Sequence, residues 1–345
     1  MELFEQLKLL CGEDGVSGDE KRVAERAAEL LRPLCDSVEI DSFCNVIAKR
    51  ASSNPDAPTL LLDAHIDQIG FLITEITSGG FLRFLSVGGV DPRMLPGSEV
   101  TVLTREHGAL RGVIGAVPPH LQNGDQTKAP AIDTMTIDLG MTYDQAKAAV
   151  RVGDYAVFKS KPLDLQNGQL CSRALDDRAC LICIIHALTL LADKPLPLNI
   201  VVSASTKEEL GGHGSQFICE KIKPDYAIAV DVTHAKTPDS PDTVGRLGKG
   251  ASVSIGSNSR PELAEKIIAS AKRHGIPFQT SACCGHSGTN AWSMQPVAEG
   301  VGTLVLSLPL KYMHSPVEVL DREDVLNTGA LIAAFVSDFD GRVSL

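Results

Sequence analysis

The ten residues PTLLLDAHID (58–67) constrain the fold most strongly. Apolar residues run there without alternation and end in polar ones. A strand of that texture is buried on both faces, so it lies inside a sheet covered by helices on each side. From Gln169 onward, strand-like and helix-like stretches alternate. The pattern predicts a helix over 177–193, a strand over 198–205 and a helix over 212–221. Strands over 226–231 and 251–256 follow, then a helix over 261–273, a strand over 303–308 and a final helix over 321–338. Interleaved strands and helices imply an α/β fold with a central, mostly parallel sheet sandwiched by helices.

Between about Gly70 and Ser160 the texture changes. Short alternating segments such as FLRFLSV, EVTVLT, GALRGVIGAV and DYAVFKS are punctuated by Gly, Pro and Asn, which is an all-β signature. A chain of 345 residues also exceeds what one core usually supports. The expectation is therefore an α/β domain formed by 1–69 and 166–345, interrupted by an inserted β-rich unit over 70–165. The N-terminal residues Met1 to Leu34 read as two helices, the second preceded by Ser17 and Glu20 in the spacing of a capping box. The runs SVEID and NVIAKR read as two short strands.

Composition narrows the partners. The formal charge of −11 argues against nucleic acid and anionic membranes. No run of 18 apolar residues occurs, and the N-terminus lacks the basic and apolar regions of a signal peptide. Nine cysteines, an odd number mostly set in apolar runs, suit a reducing cytoplasm better than a disulfide framework. Cys180 and Cys183 spell CxxC inside an apolar helix, and Cys283 and Cys284 have no basic neighbour assigned to activate them. All four are expected to pack rather than react.

In open α/β sheets, ligands collect at the carboxyl ends of the strands. LLLDAHID ends in His65 and Asp67, QLCSRALDDR presents Asp176 and Asp177, and IVVSASTKEE ends in Glu208 and Glu209. YAIAVDVTHA brings Asp231 with His234 behind it, and LVLSLPLKYMHSP reaches His314. Taken singly, these are ordinary residues: Asp176 as a helix N-cap, Asp177 and the glutamates as first-turn acids, the histidines as satisfied ones. Five segments delivering an acid or histidine to one edge is a joint pattern. Histidine plus carboxylate without thiolate suits two divalent metals per subunit, Zn²⁺ or Co²⁺ with Mn²⁺ as a further option. Asp176 is placed to bridge them, with His65 and Asp231 on one metal and Glu209 and His314 on the other. Asp67, two residues from His65 along an extended strand, would orient its imidazole. Glu208 then remains as the base for a water activated between the metals.

These motifs, in this order, resemble the tetrahedral aminopeptidases, co-catalytic metallopeptidases also labelled glutamyl aminopeptidase or endoglucanase-like. AHIDQIGF is similar to A-H-x-D-E-[IV]-G-F, ALDDR to [FL]-D-[DN]-R, and KEELGGHGS to x-E-E-V-G-x-x-G-[AS]. VDVTHA and KYMHSPVEV resemble D-x-x-x-[AG] and R-Y-x-H-S-P-x-E, and GVIGAVPPHLQ resembles a signature of the family's small domain. The resemblance spans nearly the whole chain. It implies the same ligand set (His65, Asp176, Glu209, Asp231 and His314) with Glu208 as base. It further implies a small all-β dimerisation domain, PDZ-like or barrel-like, and assembly into dodecameric shells. Three positions depart: Gln68 for Glu, Asn290 for the acid of G-T-D-A, and Lys311 for Arg. An acid at 290 is a plausible partner for a substrate ammonium.

The expected activity is removal of N-terminal residues from short peptides by a cytoplasmic enzyme. A deacylase or dipeptidase acting on small N-acyl or modified peptides is the alternative, motivated by Asn290. Glycoside hydrolysis would need two free carboxylates, which the metal assignment consumes. His213 reads as a helix-start residue and His120 as non-catalytic. His234 and His286 stand open between structural and pocket-lining roles.

Overall fold

The computed structural model describes residues 1–121, 129–242 and 244–341. Helices α1 (Leu3–Gly12) and α2 (Lys21–Leu31) lead into strands β1 (Ser37–Ile40), β2 (Val46–Arg50) and β3 (Thr59–His65). Six strands follow: β4 (Gly70–Ile76), β5 (Leu82–Val87), β6 (Glu99–Thr104), β7 (Gly108–Ile114), β8 (Ile137–Asp138) and β9 (Tyr155–Phe158). They close into an antiparallel barrel in the order β4-β5-β8-β7-β6-β9. Helix α3 (Tyr143–Ala149) lies between β8 and β9, within the stretch that reads as all-β. Its Thr142 and Gln145 form a complete capping box. Phe71 anchors the barrel core, with Phe84 and Phe158 packed edge-on to it at ring centroids of 5.1 Å each.

After the short strands β10 (Leu163–Asp164) and β11 (Gln169–Ser172), the chain forms α4 (Leu175–Leu190) and β12 (Asn199–Ser205). Next come α5 (His213–Ile222), β13 (Tyr226–His234), β14 (Ala251–Gly256) and α6 (Pro261–His274). The last elements are β15 (Phe278–Cys283), α7 (Ala291–Met294), β16 (Gly302–Leu310), β17 (Glu318–Asp321) and α8 (Arg322–Ser337). The large sheet runs β1-β2-β12-β3-β13-β16-β14-β15. Its centre, β12-β3-β13-β16, is parallel, while β2-β12 and β14-β16 are antiparallel. The sheet is thus mixed with a parallel middle, and β3 sits inside it as its texture predicts.

Alternate residues of β3 serve opposite faces. Leu60, Leu62, Ala64 and Ile66 enter the main core with α4, α6 and α8, whereas Leu61 joins a smaller core with α5 and α7. Cys180 and Cys183 are buried in the main core, and all nine cysteines are free. Cys284 departs from the packing expectation: it is exposed, and Cys283 is half-buried, because β15 is an edge strand. The capping box expected at Ser17 and Glu20 does not form. Helix α2 has no side-chain cap; the Ser17 hydroxyl donates to Asp67 instead, and Glu20 accepts the Gly18 N–H at 2.7 Å. No helix among the described residues is long and apolar enough to cross a membrane.

Candidate metal centre

The site forms where the parallel strands end. His65 is the last residue of β3 and pairs in register with Ser205, the last of β12; Asp231 lies in β13, one strand further. After β12 the chain turns sharply. Lys207 adopts φ +59°, and Gly211 and Gly212 take φ +112° and +75°, a run of left-handed backbone that two glycines make tolerable. The Glu208 carbonyl accepts the Gly211 N–H at 2.8 Å, closing the turn and presenting Glu208 and Glu209 before α5 begins at His213. Asp176 and Asp177 are not N-cap and first-turn acids of a regular helix. Ala174 is left-handed, both acids have non-helical backbone, and the peptide between them is cis.

Two clusters result. His65, Asp177 and Asp231 form one; Asp176, Glu209 and His314 form the other, with ligand atoms in each within 4.8 Å of one another. Asp176 links them. Its Oδ1 lies 3.2 Å from His65 Nε2, and its Oδ2 lies 3.2 Å from His314 Nε2. Glu209 Oε1 is 3.3 Å from the same His314 nitrogen. Glu208 belongs to neither cluster; its Oε2 stands 3.9 Å from His65 Nε2.

Asp67 is fully buried behind them. Its Oδ1 and Oδ2 accept the backbone N–H groups of Glu208 (3.1 Å) and Glu209 (3.2 Å). The His65 Nδ1 faces Asp67 as expected, nearer to the backbone carbonyl (3.1 Å) than to the carboxylate (3.4 Å). Sequence reasoning did not single out Asp177 as a ligand, Glu318 at all, or Ser17 beyond its capping role. Asp177 is buried, accepts the His65 N–H at 3.2 Å, and leaves Oδ1 without a hydrogen-bond partner. The only available signal was its adjacency to Asp176, the same doubling seen at Glu208–Glu209.

Electrostatics separate these groups. Burial, reinforced by Asp231, Glu209 and Asp176, pushes Glu208 up to about 9 against the opposing pull of His65. Burial likewise raises Asp231 to about 7 and drives Asp177 and Glu209 upward. Burial opposes charge on the histidines, yet the facing carboxylates win: His314 is pushed up to about 11 and His65 upward. So many acids buried around two imidazoles need added positive charge. The orphaned Asp177 oxygen and the mixed imidazole–carboxylate donor set fit divalent cations.

Asn290 belongs to neither cluster, and its Oδ1 has no hydrogen-bond partner. It is buried, and its Nδ2 donates to Asp63 Oδ2 at 2.7 Å and to Ser205 Oγ at 3.0 Å. An amide here matches the carboxylate that faces it. Gln68 is buried beside Arg173, and Lys311 forms backbone bonds to Val319. His213, His234, His286 and His120 stand in neither cluster; His286 stacks on Trp292 at 4.6 Å. The segment after His120 continues to Gln122, outside the described residues.

The family model for M42 glutamyl aminopeptidases matches residues 44–331. The chain belongs to this family. It is 35% identical to a lysyl aminopeptidase of Pyrococcus furiosus, over 97% of each chain. To the glutamyl aminopeptidase of Lactococcus lactis it is 28% identical, over 99% of this chain and 97% of the other. Among solved structures, an aminopeptidase from Desulfurococcus kamchatkensis superposes with TM-score 0.91 at 33% identity, covering 98% of this chain and 95% of that one. The TET1 peptidase of Pyrococcus horikoshii, which assembles into a tetrahedron or a large octahedral shell, gives 0.86 at 33% identity, covering 98% and 100%. This M42 chain therefore carries the tetrahedral-aminopeptidase fold, a mixed α/β sheet with a separate small barrel. Its family consists of aminopeptidases, hydrolases of peptide bonds.

Proposed function

We propose that this M42 chain is a dinuclear-metal aminopeptidase that removes N-terminal residues from short peptides. The observation carrying the reading is Asp176, whose two oxygens each lie 3.2 Å from the Nε2 of a different histidine, His65 and His314. That is the arrangement a bridging carboxylate requires. One cation would be held by His65 and Asp231, with Asp177 within reach. The other would be held by Glu209 and His314. When bound, the cations supply Lewis-acid polarisation of the scissile carbonyl and acidify a water. Zn²⁺, Co²⁺ and Mn²⁺ all suit these donors.

Glu208 is the base of this reading. It stands outside both clusters yet within 4 Å of the His65 ring, and it retains access to solvent. Glu208 holds its proton through burial and the facing acids Asp231, Glu209 and Asp176, and would release it more readily were those acids neutralised. It then takes the proton of the attacking water and returns it to the leaving amine. Asp67 fixes the backbone on which Glu208 rides. The deacylase alternative drew on Asn290, whose bond to Asp63 gives that residue a structural partner.

For assembly, the reading is a homo-oligomer built from dimers joined through the barrel, ultimately a dodecamer. Dodecameric and shell-forming relatives support it, as do Leu85, Val113 and Val117, apolar side chains that the barrel leaves exposed.

The test is hydrolysis by the metal-reconstituted protein of peptides with free and acetylated N-termini, with and without EDTA. Stepwise release from the free N-terminus, abolished by EDTA, is expected. Cleavage of the blocked peptides, or activity indifferent to chelation, overturns the proposal.

A further inference from the structure

His314 is held from both ends by groups outside the two metal-binding clusters. Its ring Nδ1 meets the carbonyl oxygen of Gly89 at 2.9 Å, in the barrel turn that follows β5. A carbonyl only accepts, so Nδ1 carries a proton and Nε2 is the nitrogen aimed at Asp176 and Glu209. Its backbone, in the left-handed region at φ +62°, donates its N–H to Glu318 Oε1 at 3.0 Å. The other oxygen of Glu318 accepts the N–H of Leu175 at 2.7 Å and of Asp176 at 3.2 Å. Glu318 is 2% exposed. A single buried carboxylate thus ties the His314 segment to the Asp176 turn. Gly88 closes over the same cluster: a Cβ there would lie 2.8 Å from Glu209 Oε2.

We propose that Glu318 and the barrel turn Gly88–Gly89 are the positioning residues of the Asp176/Glu209/His314 cluster, setting chiefly the affinity of the cation that Glu209 and His314 would hold. This rests on the dinuclear reading above. The bonds reach His314 twice and Asp176 once, and of these His314 belongs to this cluster alone, while His65 is oriented by Asp67 instead. Partners of this kind set ligand geometry and basicity, and their loss lowers metal affinity about 10- to 100-fold.

Gly89 offers an unusually clean probe. Unlike Gly88, at φ +75°, it needs no left-handed backbone, so alanine is conformationally allowed. The added Cβ would meet only His314, 2.8 Å from Nδ1 and 3.1 Å from Cε1. Gly115, also in the barrel and with nothing within 4 Å of its Cβ position, is the control.

The experiment is calorimetric Co²⁺ titration of the metal-free protein, paired with visible spectra and melting of the same samples. Wild type and Gly115→Ala should each take up two cations. Gly89→Ala should keep one step near wild type and weaken the other at least about 10-fold, and Glu318→Gln should weaken that same step more than the other. The Co²⁺ spectrum of the weakened step should change, and Glu318→Asp should restore part of its affinity. A Gly89→Ala protein that melts like wild type and binds both cations unchanged overturns the inference. So does equal weakening of both steps in Glu318→Gln. If wild type itself takes up fewer than two cations, the dinuclear reading fails instead, and the two failures are distinguishable.

Discussion

The carboxylate of Asp67 holds the backbone N–H groups of both Glu208 and Glu209, one on each oxygen. One buried side chain thereby sets the positions of two adjacent acids, of which only Glu209 lies in a metal-binding cluster. Asp67→Asn presents only one acceptor oxygen, so one of the two N–H groups loses its partner. We expect kcat to fall about 10- to 100-fold with the fold intact. Steady-state kinetics beside a circular dichroism melt checks this, and wild-type kcat in the variant would remove Asp67 from the mechanism.

Glu208→Gln keeps shape and removes the carboxylate proposed as the base. Two equivalents of bound metal should remain by elemental analysis, while kcat drops by about 10²- to 10⁴-fold. Loss of a metal equivalent instead would make Glu208 a ligand.

The metal-free protein should lose stability as pH rises. Glu208 and Asp231 hold their protons up to about 9 and about 7 in the folded chain, against ordinary values of 4.5 and 3.8. His314 is pushed up to about 11 from 6.5. Between pH 6 and 9 the folded state therefore binds more protons than the unfolded one, and stability falls with rising pH. Asp176 shifts oppositely: hydrogen bonds from His314 and His65 outweigh burial and hold it low. Its contribution is complete above 3.8 and is constant across this window. Melting temperatures at pH 6 and 9, with and without saturating Zn²⁺, should show a decline in the metal-free protein that the metal reverses. A flat metal-free profile contradicts the burial argument.

Asn290→Asp would set two buried carboxyls face to face at Asp63, itself already raised by burial. A loss on the order of 2 kcal/mol is expected, growing with pH because one carboxyl must stay protonated. Substrate preference should not move, and Asp63→Asn in the same chain should restore stability. Urea melts and a panel of aminoacyl substrates measure both; a change in preference with unchanged stability would return position 290 to the substrate pocket.

How much of this was legible differs by residue. His65, Asp176, Glu209, Asp231 and His314 were visible because each lies at or soon after an apolar strand-like run or at the start of a helical one, and such ends share one sheet edge. The strand Ala251–Gly256 also matches its predicted bounds, its alternating Ala, Val and Ile set off by a glycine at each end. Helix α3 and strand β15 were missed, the first inside a turn-rich region and the second at a polar sheet edge where no apolar run marks it.

Backbone partners were invisible. Glu318 acts through three N–H groups and Gly89 through its carbonyl. Side-chain chemistry can be read from residue type and spacing. A backbone group is the same at every residue, so only packing decides which one meets which partner. The sequence alone determined the sheet, the inserted β-rich stretch and the identities of the strand-end acids and histidines. Tertiary structure decided which of them face each other, that Asp177 joins them, that Asn290 turns inward to Asp63, and that the barrel supplies a bond to His314. Those outcomes depend on contacts between segments as far apart as Gly89 and His314, which no local pattern encodes.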